Sequence, residues 1–246
     1  MDQLLATTLI GLFVGMVGTG TGGLITFCIR NPGKKFLSFI LGLSSGLMLA
    51  IISFNLLPEA FEMGSLTTGV IGILLGVGTI ILLDEKLSSR MKNYRDYADR
   101  SFIKTGILLG LGVALHNFPE GLAIGSGFVA KKELGIGIAI VIGLHNMPEG
   151  ISMAAPMSIG GMKRWKAFAY TVLAGMPMGL GAFLGALLGG ISPHFISFCL
   201  AFAGGTMLYI TCGELIPKSN NLSFGRISTY GLILGFVTGI IVSVRI

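Results

Sequence analysis

The sequence predicts an all-α membrane protein built from eight transmembrane helices. Three observations carry this. Only 11% of the 246 residues are charged, against about 25% in a soluble domain, and the mean hydropathy is +0.85. Apolar runs of about 20 residues, the length that crosses a bilayer as a helix, recur along the whole chain. The basic residues fall almost entirely in alternate connections between those runs. One transmembrane domain, 1–246, is expected, with no separate soluble part.

In order, the spans are 4–28, 36–61, 66–84, 103–129, 134–158, 166–189, 194–217 and 227–244. The first includes "LLATTLIGLFVGMVGTG". It lacks the charged leader and small-residue cleavage site of a signal peptide, so it reads as a retained span. The second and seventh each end in a proline-containing polar string. Residues 84–104 form the one long connection, polar and expected to lie on the surface. The fourth and fifth spans carry near-copies, "LHNFPEGLAIG" and "LHNMPEGISMA". Thirty-nine glycines fit close helix packing, because small residues let backbones approach in a membrane. Cys28, Cys199 and Cys212 lack CxxC spacing and read as reduced packing residues.

Charge sets the orientation. The first, third, fifth and seventh connections hold Arg30, Lys34 and Lys35, then Lys86, Arg90, Lys92, Arg95, Arg100 and Lys104, then Lys163, Arg164 and Lys166, then Lys218 and Arg226. Lys131, Lys132 and Arg245 are the only bases elsewhere. The positive-inside rule puts those four connections in the cytoplasm and both termini outside. The net charge of +6 is thereby a topological signal and not a nucleic-acid surface.

"MLAIISFNLLPEA" (48–60) aligns with "MLYITCGELIPKS" (207–219), pairing Met48 with Met207, Asn55 with Glu214 and Pro58 with Pro217. The two strings lie on spans of opposite direction. An inverted repeat of this kind is a hallmark of transporters.

The near-copies share the pattern H-N-x-P-E-G. His116 and Glu120 are four apart and share a helix face, as do His145 and Glu149. Asn117 and Asn146 lie about 100° around the axis. An acidic residue at the centre of a membrane helix costs on the order of 3 kcal/mol, and two would also repel. A bound divalent cation offsets both terms. Imidazole and carboxylate together suit zinc, iron or manganese. Pro119 and Pro148 are expected to free the carbonyls of Leu115 and Leu144, and Gly121 and Gly150 to admit a neighbouring helix. A purely structural His–Glu network is the alternative, and the doubling of the motif favours metal. Among single residues, His194 reads as a solvated loop histidine. Glu214, near the cytoplasmic end of span seven, reads equally as an interfacial carboxylate or as a residue facing the metal path, and Asn55, towards the outer end of span two, as an entrance residue. The twelve methionines read mostly as core or lipid-facing, with Met48 and Met178 set apart as candidate auxiliary positions because a thioether can serve as a soft ligand. Glu59 reads as interfacial.

At these residues the sequence resembles the ZIP family of divalent metal transporters, in particular its bacterial GufA-like and ZupT-like branches. "HNFPEG" and "HNMPEG" are similar to that family's metal motifs on its fourth and fifth spans. The resemblance covers essentially the whole chain. It implies a binuclear metal centre formed by His116, Asn117, Glu120, His145, Asn146 and Glu149. It also implies a methionine ligand at Met48, an acid at Glu214, and a 3+2+3 arrangement in which spans 1–3 mirror spans 6–8. Two departures stand out. Where many relatives have a glutamate on the sixth span, this chain reads "AGMPMGLG" (174–181), with Met178 near the place of the acid. Residues 84–104 contain no histidine, so no metal-sensing loop is expected.

The expected function is uptake of a divalent transition metal, Zn2+ first and Fe2+, Mn2+ or Cd2+ after it, into the cytoplasm. The metal is substrate, and no catalytic cofactor is expected. The expected setting is a bacterial inner membrane, with the lipid bilayer and metal ions as partners, no nucleic acid, and a homodimer as the protein assembly allowed for. No GxxxxGK[ST] string is present, so gradients or coupled ions would drive transport. An intramembrane metalloenzyme is one rival, disfavoured by the lack of HExxH and the doubled ligand set. A metal-selective channel is the other.

Overall fold

A computed structural model describes residues 2–28, 33–91, 100–188, 193–223 and 226–244. The described chain is helical: α1 (Asp2–Cys28), α2 (Lys34–Ile51), α3 (Leu57–Met63), α4 (Leu66–Met91), α5 (Arg100–Ala130), α6 (Lys132–Ile159), α7 (Arg164–Gly175), α8 (Pro177–Leu188), α9 (Pro193–Ile210), α10 (Ile216–Leu222) and α11 (Ile227–Val244). Among the described residues, seven helical stretches are long and apolar enough to cross a membrane, and Ile227–Ile241 forms a shorter apolar helix. These correspond in order to the eight expected spans. Every backbone group inside a bilayer needs an internal partner, which a helix supplies along its own length.

Three local differences from the sequence reading have physical causes. The polar segment 84–104 is helical wherever it is described, because α4 continues to Met91 and α5 begins at Arg100. Glu, Lys, Leu, Arg and Met are good helix formers and carry α4 past its apolar part. The sixth span is two helices with a turn at Met176. Pro177 has no N–H to offer, and Met176 N–H bonds back only three residues to Leu173 O (3.2 Å). The second and seventh spans each contain a π-helical turn, Ile52–Leu56 and Thr211–Leu215. Here Leu57 N–H reaches Ile52 O and Ile216 N–H reaches Thr211 O, five residues back. Pro58 and Pro217 follow directly, and their rings crowd the carbonyl four residues upstream, so the ladder widens.

The chain divides into two compact units. One comprises Met1–Cys28 and Asp96–Ile196, and the other Ile29–Arg95 and Ser197–Ile246. The first holds α1 and α5 to α8. Its helices meet at glycines. A Cβ on Gly22 would collide with Met147 O, and one on Gly150 with Thr19 O; likewise Gly181 faces Phe118 O and Gly121 faces Met178 O. These contacts follow a rule. Moving from α1 to α8 adds 159 (22 to 181, 19 to 178), while moving from α6 to α5 subtracts 29 (147 to 118, 150 to 121).

The second unit holds α2 to α4 and, from Ser197 onward, α9 to α11. Gly46 of α2 packs on Leu232 O of α11, and Gly205 of α9 packs on Ile73 O of α4. Gly235 lies against Leu43 O, and Gly76 against Phe202 O. The same shift of 159 relates each pair (46 to 205, 43 to 202), and it carries one π turn onto the other (52 to 211). At one end of this unit Ser38 Oγ donates to Ser219 O (2.8 Å), Ser219 Oγ donates to Ser38 O (2.6 Å), and Ser228 Oγ lies 2.7 Å from Ser219 Oγ. These buried hydroxyls join α2, α10 and α11.

Candidate metal centre

Helices α5 and α6 run unbroken through Pro119 and Pro148 and lie side by side in the first unit. Each supplies one copy of the repeated motif. His116, Asn117 and Asn146 are completely buried, and Glu120 and Glu149 are 4% and 2% exposed. The two helices bring three of the expected ligands together. His116 Nε2 lies 2.9 Å from Glu120 Oε1 on its own helix and 3.7 Å from Glu149 Oε1 across the helix pair. Zinc bonds of about 2.0–2.2 Å set ligand atoms roughly 3.4 Å apart around a tetrahedral ion. The two spacings bracket that edge length. Two buried carboxylates on one imidazole form a strongly anionic, desolvated spot, which is what a divalent cation stabilises.

Among the described residues, no group of three or more His, Cys, Asp or Glu side chains is arranged to hold a metal ion. His145 is the fourth expected ligand. Its backbone belongs to α6, and its side chain lies outside the described residues.

The asparagines are held in a chain. Asn117 Nδ2 donates to Ala174 O of α7 at 2.8 Å, and Asn146 Nδ2 donates to Asn117 Oδ1 at 3.4 Å. Thr19 Oγ1 of α1 is 2.8 Å from both Gly15 O and Thr171 O, linking α1 to α7 beside the same helices. Neither Thr19 nor the Ala174 carbonyl was apparent from the sequence. A proline inside the sixth apolar run was the available sign that a carbonyl there would serve something other than its own helix.

The remaining expected residues are elsewhere. Met178 is fully buried among apolar side chains, with Ile124, Phe128, Ala139 and Ile142. Met48 is buried in the second unit, its sulfur 3.8 Å from Thr211 Oγ1. Asn55 and Glu214, both half-buried, occupy equivalent places in the two π turns of that unit. His194 is exposed at the start of α9, in keeping with a solvated histidine. Among the described cysteines, Cys199 is buried and Cys212 exposed, and both are free thiols.

The apolar helices define an integral membrane protein, and the His–carboxylate cluster lies buried among them. The family model of the ZIP zinc transporters matches residues 83–243. Similar proteins include "Zinc transporter ZupT" of Clostridium perfringens, 33% identical over 96% of this chain and 94% of the relative. The ZupT of Chlorobium limicola is 34% identical over 96% of each chain. That of Salmonella heidelberg is 34% identical over 94% of this chain and 89% of the relative. The chain belongs to the ZIP zinc transporter family. It is a transporter and not an enzyme, and divalent metal is its substrate and not a catalytic cofactor.

Proposed function

We propose that the protein carries zinc inward across a bacterial inner membrane, with iron(II), manganese(II) and cadmium(II) as lesser substrates. The observation that carries this reading is the meeting of His116, Glu120 and Glu149 in a buried cluster on two adjacent helices. His145, Asn117 and Asn146 complete the site. Imidazole and carboxylate favour zinc without excluding its neighbours. Asn55, Met48, Met178 and Glu214 are the auxiliary residues through which ligand exchange proceeds between the outer face, the centre and the cytoplasm.

The whole chain is one transport domain in a 3+2+3 arrangement, spans 1–3 being the inverted image of spans 6–8. The shift of 159 that recurs in the glycine contacts and the π turns supports this. So does the interleaved order of the two units along the chain. Both termini are extracytoplasmic, the bilayer is the surrounding partner, and a homodimer is compatible with this arrangement. Transport proceeds by alternating access, in which the unit holding α5 and α6 carries the ion.

The purified protein in liposomes should take up zinc with saturable kinetics and without ATP or any organic substrate. Absence of flux in correctly inserted protein would refute the reading. A channel would instead show linear, non-saturating flux and single cysteines accessible from both sides at once.

A further inference from the structure

We propose that the start of α7 is a docking site for an anionic phospholipid. The lipid phosphate meets Lys163 and Lys166, while Trp165 and the apolar face behind it take the glycerol and the upper acyl chain. This site is separate from the buried cluster on α5 and α6 and needs no metal.

Backbone contacts fix the site in place. After Ile159, α6 closes on Gly161, whose φ of 95° suits glycine and few other residues. Met162 N–H bonds to Met157 O (3.0 Å) and Gly161 N–H to Ser158 O (3.2 Å), the paired bonds of a Schellman close. Met162 turns inward and is buried, so the direction in which Lys163 leaves the turn is set. The next residues are pinned to α1. Arg164 Nη1 donates to Phe27 O in the last turn of α1 (3.1 Å), where a cation suits the helix end. Trp165 meets Phe27 edge-on with ring centroids 4.7 Å apart, and meets Phe168 at 5.8 Å.

Trp165 is nevertheless 69% exposed. Lys163 and Lys166 flank it and are exposed. Ala169 and Leu173 follow at helical spacing and are exposed as well. An apolar strip therefore runs about 12 Å along α7 from the indole, at about 1.5 Å per residue. An indole so placed belongs at the boundary between headgroups and hydrocarbon. The surroundings are basic. Gly106 of α5 packs on Met157 near the end of α6, which brings Arg100 and Lys104 to this same end of the unit. Glu133 is the exposed acid among the described side chains of the unit, and it sits at the far end of the 28-residue α6. A soluble acidic protein would satisfy the lysines and leave the apolar strip bare. A zwitterionic lipid would cover the strip but bring its own cation to the lysines. An anionic phospholipid satisfies both.

Trp165 is the one tryptophan of the chain, so its fluorescence reports on its own neighbours. The full-length protein is reconstituted into phosphatidylcholine vesicles containing a small, equal fraction of brominated phosphatidylglycerol or brominated phosphatidylcholine. Bromine quenches an indole it touches, and both leaflets are alike, so the direction of insertion does not matter. Each base near an anionic surface adds about fivefold to binding. Phosphatidylglycerol should therefore be preferred at Trp165 by about tenfold or more. Lys163→Gln with Lys166→Gln should cut the preference to about twofold or less. Lys131→Gln with Lys132→Gln, at the far end of α6, should leave it intact. Sodium phosphate, with ionic strength matched by chloride, should not displace the brominated lipid, and neither should polyglutamate. Equal quenching by the two lipids on the parent protein overturns the assignment without need of any variant. So does a preference that survives loss of both lysines, or displacement by phosphate or by polyglutamate.

Discussion

Glu149 joins the two motif copies, because its carboxylate is the one that reaches His116 from the other helix. Glu149→Gln keeps shape and burial and removes the charge that holds a cation. Zinc uptake should fall by more than the roughly 10–100-fold that losing a mere supporting partner of a metal ligand costs. His116→Ala should do the same, with both variants still inserted in the membrane. Exposed Lys131→Ala should change uptake by no more than about twofold. Zinc should also raise the melting temperature of the detergent-solubilised parent, since a ligand at 100 times its Kd adds about 2.7 kcal/mol. EDTA should reverse the rise, and Glu149→Gln should show none. Normal uptake by both site variants would dismantle the assignment. The sequence made His116, Asn117, Glu120, Asn146 and Glu149 legible because polar groups are conspicuous in apolar runs. It did not show Thr19 or the Ala174 carbonyl, since a backbone oxygen carries no residue identity and a threonine in a glycine-rich string carries little.

Glycine contacts set how the helices pack. Gly46 and Gly205 press on the carbonyls of Leu232 and Ile73, and neither carbonyl can rotate away as a side chain would. Alanine at either position should destabilise the purified protein by about 1–3 kcal/mol, and by similar amounts if the two interfaces are equivalent. Gly78 has open space around it, so Gly78→Ala should be neutral or stabilising by up to about 1 kcal/mol. Thermal unfolding of the three variants checks all of this. Element identity was readable from run length and hydropathy. The π turns and the split of the sixth span were not, although each sits beside a proline. Pro119 and Pro148 sit inside unbroken helices, whereas Pro58, Pro177 and Pro217 accompany altered ladders. Neighbouring helices decide which accommodation a proline receives, and a one-dimensional pattern does not contain them.

For the molecule as a whole, the bias of basic residues towards alternate connections predicts an orientation. In intact cells a tag at either terminus should be reachable from outside, while a cysteine placed at Lys163 should react only after permeabilisation. Reactivity in the opposite sense would invert the proposed direction of uptake. Hydropathy sufficed for an all-helical membrane protein with seven or eight apolar helices, because the bilayer imposes span length. The repeated H-N-x-P-E-G string sufficed to nominate a cation site, because charge buried in lipid must be compensated. Only the tertiary structure sorted the helices into two interleaved units and brought Glu149 to His116. It also gave Asn117 a carbonyl on α7 to hold. These depend on which backbones meet across glycines far apart in the chain, and such meetings are settled by packing.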